Sequence, residues 1–348
     1  MRIVDGLWIT RSRLPPIGHD SSVTRRPGEL PPDLEKAAFT VEQGRNLGLT
    51  RQRMRADDLE RPFRGVRQRT GMSHSDVDAP AEMYEAANDE LSARCRAAEL
   101  VIPRGAFFSH VTAAHLWPLP LPGLPNDGPV HVGVIPPEHP PRRAGVTGHH
   151  ISDPAAFIVR RHGYALIDPA TLFCELAAVL RLEDLVAVGD SLVLQPRYDD
   201  PGDDRPWLTM RELGERLDRF RGRGKLRAAQ ALDLVRPGAE SRPESLVRLA
   251  ILEAGLPEPE VNIEVFSRTG QFVGRADLLF RQYRLVVEYD GDQHRVDTVQ
   301  FDRDVGRLDD FAAAGWRVVR ITKRGFFGDR AGCIARIRQA LIAAGWTC

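Results

Sequence analysis

The stretch 274–294, GRADLLFRQYRLVVEYDGDQH, reads as two strands that bring three carboxylates, Asp277, Glu288 and Asp290, to one place. Two apolar runs, Leu278-Leu279-Phe280 and Leu285-Val286-Val287, are short enough for strands buried on both faces. A turn centred on Gln282 and Tyr283 would set Asp277 directly opposite Glu288. Opposed side chains share a face, with Cβ atoms roughly 4.5–5.5 Å apart. Asp290 lies two residues beyond Glu288 and points the same way, because side chains alternate along a strand. Three acids at the end of an apolar hairpin repel one another, and a hard divalent cation would remove that repulsion. Mg²⁺, with Mn²⁺ as an alternative, suits such an oxygen donor set. The plainer possibility is a hairpin end whose acids face water, with Asp290-Gly291 as a turn.

The run Glu288-Tyr289-Asp290-Gly291-Asp292-Gln293-His294, with Asp277 on the preceding strand, resembles the PD-(D/E)XK nuclease superfamily. It is most similar to an uncharacterised group related to very-short-patch-repair endonucleases, over about residues 240–341. The resemblance implies a restriction-endonuclease-like mixed α/β domain with Asp277 and Glu288 as metal ligands and the Tyr289 carbonyl as a third. The superfamily's usual lysine position is Asp290 here, either an extra ligand or a supporting acid. His294, one short turn from the acids, is a candidate general base or phosphate donor. Its plainer role is a hydrogen-bonded turn residue. Glu244 matches the first-helix acid of the superfamily and is equally placed as a capping residue. Arg303, Arg307 and Lys323 are candidate phosphate contacts.

The elements that must position these groups follow from pattern. Ser241 and Glu244 form a capping-box pair, and Val247, Ala250, Ile251 and Ala254 give one helical face. Gly255 ends that helix. A strand is expected over 261–266, then the hairpin, a polar helix or loop over 297–314, a strand over 316–321 and a closing helix over 332–343.

A second set of chemistry-bearing residues lies near the N-terminus. From 41 to 69 there are eight arginines against four acids. Thr40 and Gln43 fit a capping box, Leu47-Gly48-Leu49 a tight turn, and Thr50 the cap of a second helix presenting Arg51, Gln52, Arg53 and Arg55. The run Phe63-Arg64-Gly65-Val66-Arg67 reads as a β wing. Such arginines can reach phosphates and base edges, although an arginine-rich solvated helix pair fits the same residues. The segment resembles the winged-helix domain of abortive-infection-type antitoxins of type IV toxin–antitoxin pairs. That resemblance implies DNA as a partner, Arg64 included among its contacts, and a toxin-like protein as a second partner. A homodimer is a further candidate assembly.

The chain has 348 residues, with 48 Lys+Arg and 48 Asp+Glu, so net charge does not point to nucleic acid and local clusters must. Hydrophobic residues make up 42% and charged residues 28%, an ordinary globular balance. Cys95, Cys174, Cys333 and Cys348 lie far apart without a Cys-x-x-Cys, which suits a reducing cytoplasm and argues against a zinc module. No apolar run approaches the ~18 residues of a membrane span, and residues 1–13 lack the apolar core of a signal peptide.

The expected architecture is therefore α/β and multidomain. It comprises a tail over 1–30, a winged helix-turn-helix over 31–69, a linker over 70–100 with room for a short helix over 81–100, an α+β middle domain over 101–236 similar to the antitoxins, and the nuclease-like domain over 237–348. Histidines 110, 115, 131, 139, 149, 150 and 162 form no compact ligand pattern and read as individually satisfied or exposed. The glycine-rich basic break Arg221-Gly222-Arg223-Gly224-Lys225 is either a phosphate contact or a plain helix–helix turn. Two functions follow: a metal-dependent DNA endonuclease aimed by a winged helix, or an antitoxin-type regulator whose nuclease fold no longer cuts.

Overall fold

The computed structural model describes residues 27–70, 80–123, 128–197, 203–291 and 310–347. At the N-terminus, α1 (Pro32–Glu35), β1 (Phe39–Thr40) and α2 (Val41–Asn46) are followed by a single 3-10 turn, Arg53–Arg55, and by β2 (Leu59–Glu60) and β3 (Val66–Arg69). The strands form an antiparallel sheet in the order β1-β3-β2. Leu30, Leu34, Phe39 and Leu59 make a small core, so packing already includes Leu30 of the expected tail. Thr40 caps α2 in a full capping box, accepting from the Gln43 N–H at 3.0 Å while the Gln43 side chain accepts from Thr40 N–H at 2.7 Å.

The expected second helix does not extend beyond the 3-10 turn. Thr50 Oγ1 accepts from the Arg53 N–H at 3.1 Å, so the cap forms. Arg53 then folds inward, its guanidinium clamping both oxygens of Asp58 at 2.8 and 2.7 Å, and Ala56 turns extended at ψ 150°. The wing is not free either. Phe63 and Val66 are buried in the core of the middle region, and Arg143 donates to the Arg64 carbonyl at 2.7 Å. Two apolar side chains of that size are driven out of water onto the neighbouring sheet.

The segment expected as a linker contains α3 (Pro80–Glu99), whose Leu91, Cys95, Ala97 and Ala98 belong to the same core. The middle region continues with β4 (Phe107–Phe108), α4 (His110–Leu116), β5 (Val130–Val134), β6 (Arg142–Arg143), β7 (Val146–His150), β8 (Ile158–Arg161) and β9 (Tyr164–Ile167). These strands make a mixed six-stranded sheet in the order β6-β7-β5-β4-β9-β8. Helices α5 (Pro169–Leu176), α6 (Leu182–Leu192), α7 (Met210–Arg219) and α8 (Lys225–Leu234) follow.

The C-terminal region begins with α9 (Arg242–Glu253), N-capped by Ser241 with Pro243 in the first turn. Its Leu246, Val247, Ala250 and Ile251 pack on the C-terminal core, while Leu249 packs on the middle one. Polar groups reinforce that seam. Arg248, fully buried, donates to Asp190 at 3.1 Å and to the Leu234 carbonyl at 2.7 Å, and the Ser245 hydroxyl donates to Asp190 at 2.7 Å.

Strands β10 (Glu260–Phe266), β11 (Phe272–Phe280), β12 (Leu285–Asp290) and β13 (Arg317–Thr322) form a sheet in sequential order. The first two pairings are antiparallel and β12–β13 is parallel. The sheet is buried on both faces: Leu278, Phe280, Leu285 and Val287 on one, Leu279, Val286 and Phe311 on the other. That is why both strands of the hairpin read as continuous apolar runs. Helices Lys323–Gly328 and Arg330–Ala343 close the chain.

Candidate nuclease-like site and a second cleft

The hairpin turns through a 3-10 segment, Arg281–Tyr283, and Arg284 takes a left-handed φ of 47°. Leu278 faces Val287, Leu279 faces Val286 and Phe280 faces Leu285. Extending that register by one residue sets Asp277 against Glu288. The two acids bind across the seam. The Asp277 N–H donates to Glu288 Oε1 at 3.3 Å, and the Tyr289 N–H donates to Asp277 Oδ2 at 2.7 Å. Glu288 is buried, at 3% exposure, which is unusual for a carboxylate at a strand end.

Glu244 approaches from the first turn of α9. It accepts from the Ser241 hydroxyl at 2.7 Å, the Glu240 N–H at 3.0 Å and the Asn262 amide at 2.6 Å. It therefore braces the Ser241 cap without completing the expected capping box, since it takes the Glu240 N–H and not that of Ser241, and it is also a neighbour of the hairpin acids. Burial, and then the negative charge of Asp277, push its carboxyl up to about 7 against the downward pull of those donors.

Asp290 is held by Arg320 at 2.7 Å. Arg320 sits opposite Glu288 in the parallel β12–β13 pairing, and Thr322 sits opposite Asp290. Lys323 follows directly, exposed, at the same end of the sheet as the acids. Nothing in the run 316–321 marked Arg320 in advance, since only the parallel pairing puts it beside β12. His294, Arg303 and Arg307 lie outside the described residues. Arg51, Gln52, Arg55 and Arg64 are exposed, whereas the Arg53 side chain is only 10% exposed and committed to Asp58.

The donors are the right type for a hard cation, and Mg²⁺ commonly needs only one or two protein carboxylates beside water and phosphate. Among the described residues, no group of three or more His, Cys, Asp or Glu has metal-binding geometry. Asp277 and Glu288 are the pair that could hold one.

A second polar site lies in the middle region. His110 at the start of α4, His131 on β5 and His149 on β7 come together, so these histidines are not individually satisfied. His131 Nδ1 and His149 Nε2 are hydrogen-bonded at 2.9 Å, and the rings of His110 and His149 stack at 3.7 Å. The parallel pairing of β5 with β7 creates the cluster, and no local spacing reveals it. Burial, with mutual repulsion, lowers His110 to about 3 and His149 to about 4.

No family model matches the chain. No solved structure matches it either. Two curated relatives share 30% identity over 99 residues: Uncharacterized protein MT2308 and Uncharacterized protein Rv2248, from two strains of Mycobacterium tuberculosis. The match covers 28% of this chain and 36% of each relative, about a third of their length. Among the described residues, no helix is long and apolar enough to cross a membrane.

Proposed function

We propose that the protein is a metal-dependent DNA endonuclease of the PD-(D/E)XK type whose N-terminal module binds DNA. The carrying observation is the meeting of Asp277 with buried Glu288 across the β11–β12 seam, with Glu244 close enough to feel the charge of Asp277. Such a concentration of acid at the end of a buried sheet is costly unless a cation or a proton compensates it.

Asp277 and Glu288 would hold Mg²⁺ or Mn²⁺, with the Tyr289 carbonyl as the third donor that the resemblance implies. When bound, the cation would lower the pKa of a water and polarise a phosphoryl oxygen. Arg320 steers Asp290, which favours a supporting role for that acid over direct ligation. Lys323, exposed at the same sheet end, is suited to a phosphate oxygen. His294 remains the candidate base. The strand order β1-β3-β2 supports a winged-helix reading of the N-terminal module, with Arg51, Gln52 and Arg55 as its exposed polar groups.

The test is nicking of supercoiled plasmid with Mg²⁺ or Mn²⁺. The reading expects cutting that EDTA abolishes and that Glu288→Ala lacks. The absence of a three-ligand group among the described residues, and the engagement of Asp290 by Arg320, favour a second reading. In that reading the protein is an antitoxin-type regulator with an inactive nuclease fold and a toxin-like partner. Specific DNA retention with no metal-dependent cutting would select it.

A further inference from the structure

The histidine cluster lines a cleft of about 680 Å³, within the range of small-ligand pockets. Its floor is Glu175, on a helix, α5, in which every residue is buried. Glu175 Oε2 accepts the His110 main-chain N–H at 3.1 Å, and Oε1, buried, has no hydrogen-bond partner. A buried polar atom left unmatched in a roomy cleft is costly unless something fills it. Burial pushes this carboxyl up to about 8, so at neutral pH it carries a proton and offers an O–H.

The wall made by the imidazoles is flat and uncharged, and the one carboxylate beside it, Asp153, is ion-paired with the buried Arg216 at 3.4 Å. The three imidazoles are all depressed below their ordinary range by burial, and so are neutral at pH 7. Rings stacked at 3.7 Å aim their nitrogens along parallel planes rather than at one point, which suits a planar guest better than a metal ion. His110 holds a left-handed φ of 51°, a costly conformation for a residue of this type, and it keeps its backbone N–H on Glu175.

The mouth is cationic. It is formed by the break between α7 and α8, where Arg219, Arg221 and Arg223 line the cleft. Gly224 fixes that break: at φ 86°, it packs where a Cβ would stand 2.6 Å from the Ala177 carbonyl carbon. A side chain there would clash with the Ala177–Ala178 backbone, so the break could not keep this path. Arg221 uses one nitrogen on the Phe220 and Asp218 carbonyls, which orients its guanidinium. Guanidinium groups at a cleft mouth match phosphate oxygens in geometry and charge.

A flat, hydrogen-bonding interior, with its Asp153 charge offset by Arg216, under an arginine rim matches one ligand chemistry. We propose that this cleft binds a nucleoside phosphate, the base against the imidazoles and Glu175 and the phosphate on Arg221 and Arg223. The source is either a free nucleotide or the phosphorylated end of a nucleic acid strand. The inference stands independently of the hairpin acids, which lie in another region of the chain.

The experiment is calorimetric titration of the full chain with the four 5′-ribonucleoside monophosphates, the matching nucleosides, inorganic phosphate, and a short oligonucleotide with or without a 5′-phosphate. Wild type is compared with the double variant Arg221→Ala/Arg223→Ala and with His149→Phe. Both arginines are exposed, so the double variant should keep the wild-type melting temperature. The proposal expects at least one nucleotide to bind, about tenfold more weakly in the arginine variant, a loss of ~1.4 kcal/mol, with nucleoside binding unchanged. His149→Phe should alter the ranking of bases. Equal affinity for the nucleotide and the 5′-phosphorylated strand identifies the free ligand, and tighter binding of the strand identifies the end. No nucleotide binding by folded wild type, phosphate binding as tightly as nucleotide, or an unaffected arginine variant would overturn the proposal.

Discussion

Replacing Glu244 with Gln isolates the charge balance at the hairpin. The glutamine is nearly isosteric and can keep its partners: its oxygen can accept from the Glu240 N–H and the Asn262 amide while its amide donates to the Ser241 hydroxyl. What it loses is the ionisable proton. In the folded protein that proton is held up to about 7, against 4.5 ordinarily. A group whose folded pKa is raised makes the folded state bind more protons, so stability falls as pH rises between those two values. Each pKa unit is worth about 1.36 kcal/mol, which sets an upper bound of about 3 kcal/mol on the penalty above pH 7. Glu244 is not fully enclosed, and water screens part of the effect, leaving about 1–2 kcal/mol. Urea unfolding in EDTA is the assay, at pH 4 and pH 8 and constant ionic strength. Glu244→Gln should be more stable than wild type at pH 8, and the gain should vanish at pH 4. An equal difference at both pH values, of either sign, would refute the reasoning and leave Glu244 as a support of the Ser241 cap alone.

Three further outcomes follow from the packing. Asp190→Ala leaves the fully buried Arg248 guanidinium with only its longer carboxylate contact, to the exposed Glu258 at 3.4 Å, and should cost about 3 kcal/mol, read as a lowered urea midpoint. An effect below about 1 kcal/mol would mean that the seam between the middle and C-terminal regions is not built on that pair. Arg51→Ala with Arg55→Ala should weaken DNA retention at low salt and leave the melting temperature unchanged. Arg53→Ala should instead lower stability, since Arg53 clamps Asp58, and unchanged DNA binding by the first pair would remove the DNA-binding assignment. Cys95 and Cys174, buried with thiols pushed up to about 12, should resist alkylation in the native protein and react after unfolding, as read by mass spectrometry.

The parts of the fold that could be read from the chain are those that depend on neighbours in sequence. The Thr40 and Ser241 caps need three residues each, and the hairpin register needs only its turn and two apolar runs. The misreadings arose where distant residues decide. Arg53 belongs on a recognition helix by propensity, but Asp58 draws it inward and the helix ends after one 3-10 turn. Phe63 and Val66 read as part of a β wing, and their burial in the middle region is not legible because their partners lie some eighty residues further on, around Arg143 and Gly145. The histidines at 110, 131 and 149 are sequentially scattered and meet only through a parallel strand pairing and the first turn of α4. Arg320, inside an ordinary apolar strand, gained its contact with Asp290 in the same way, through β13 lying parallel to β12.

The most direct test of the nuclease reading is the initial rate of plasmid nicking at pH 7.5 in Mg²⁺, wild type against Asp277→Asn. The substitution keeps size and an oxygen to accept from the Tyr289 N–H, and removes one negative charge where the cation would sit. The reading predicts metal-dependent cutting by wild type and a rate lower by at least about a hundredfold in the variant, a loss of ~2.7 kcal/mol in transition-state stabilisation. Equal rates for the two proteins, or no cutting by a folded, DNA-binding wild type, would contradict it.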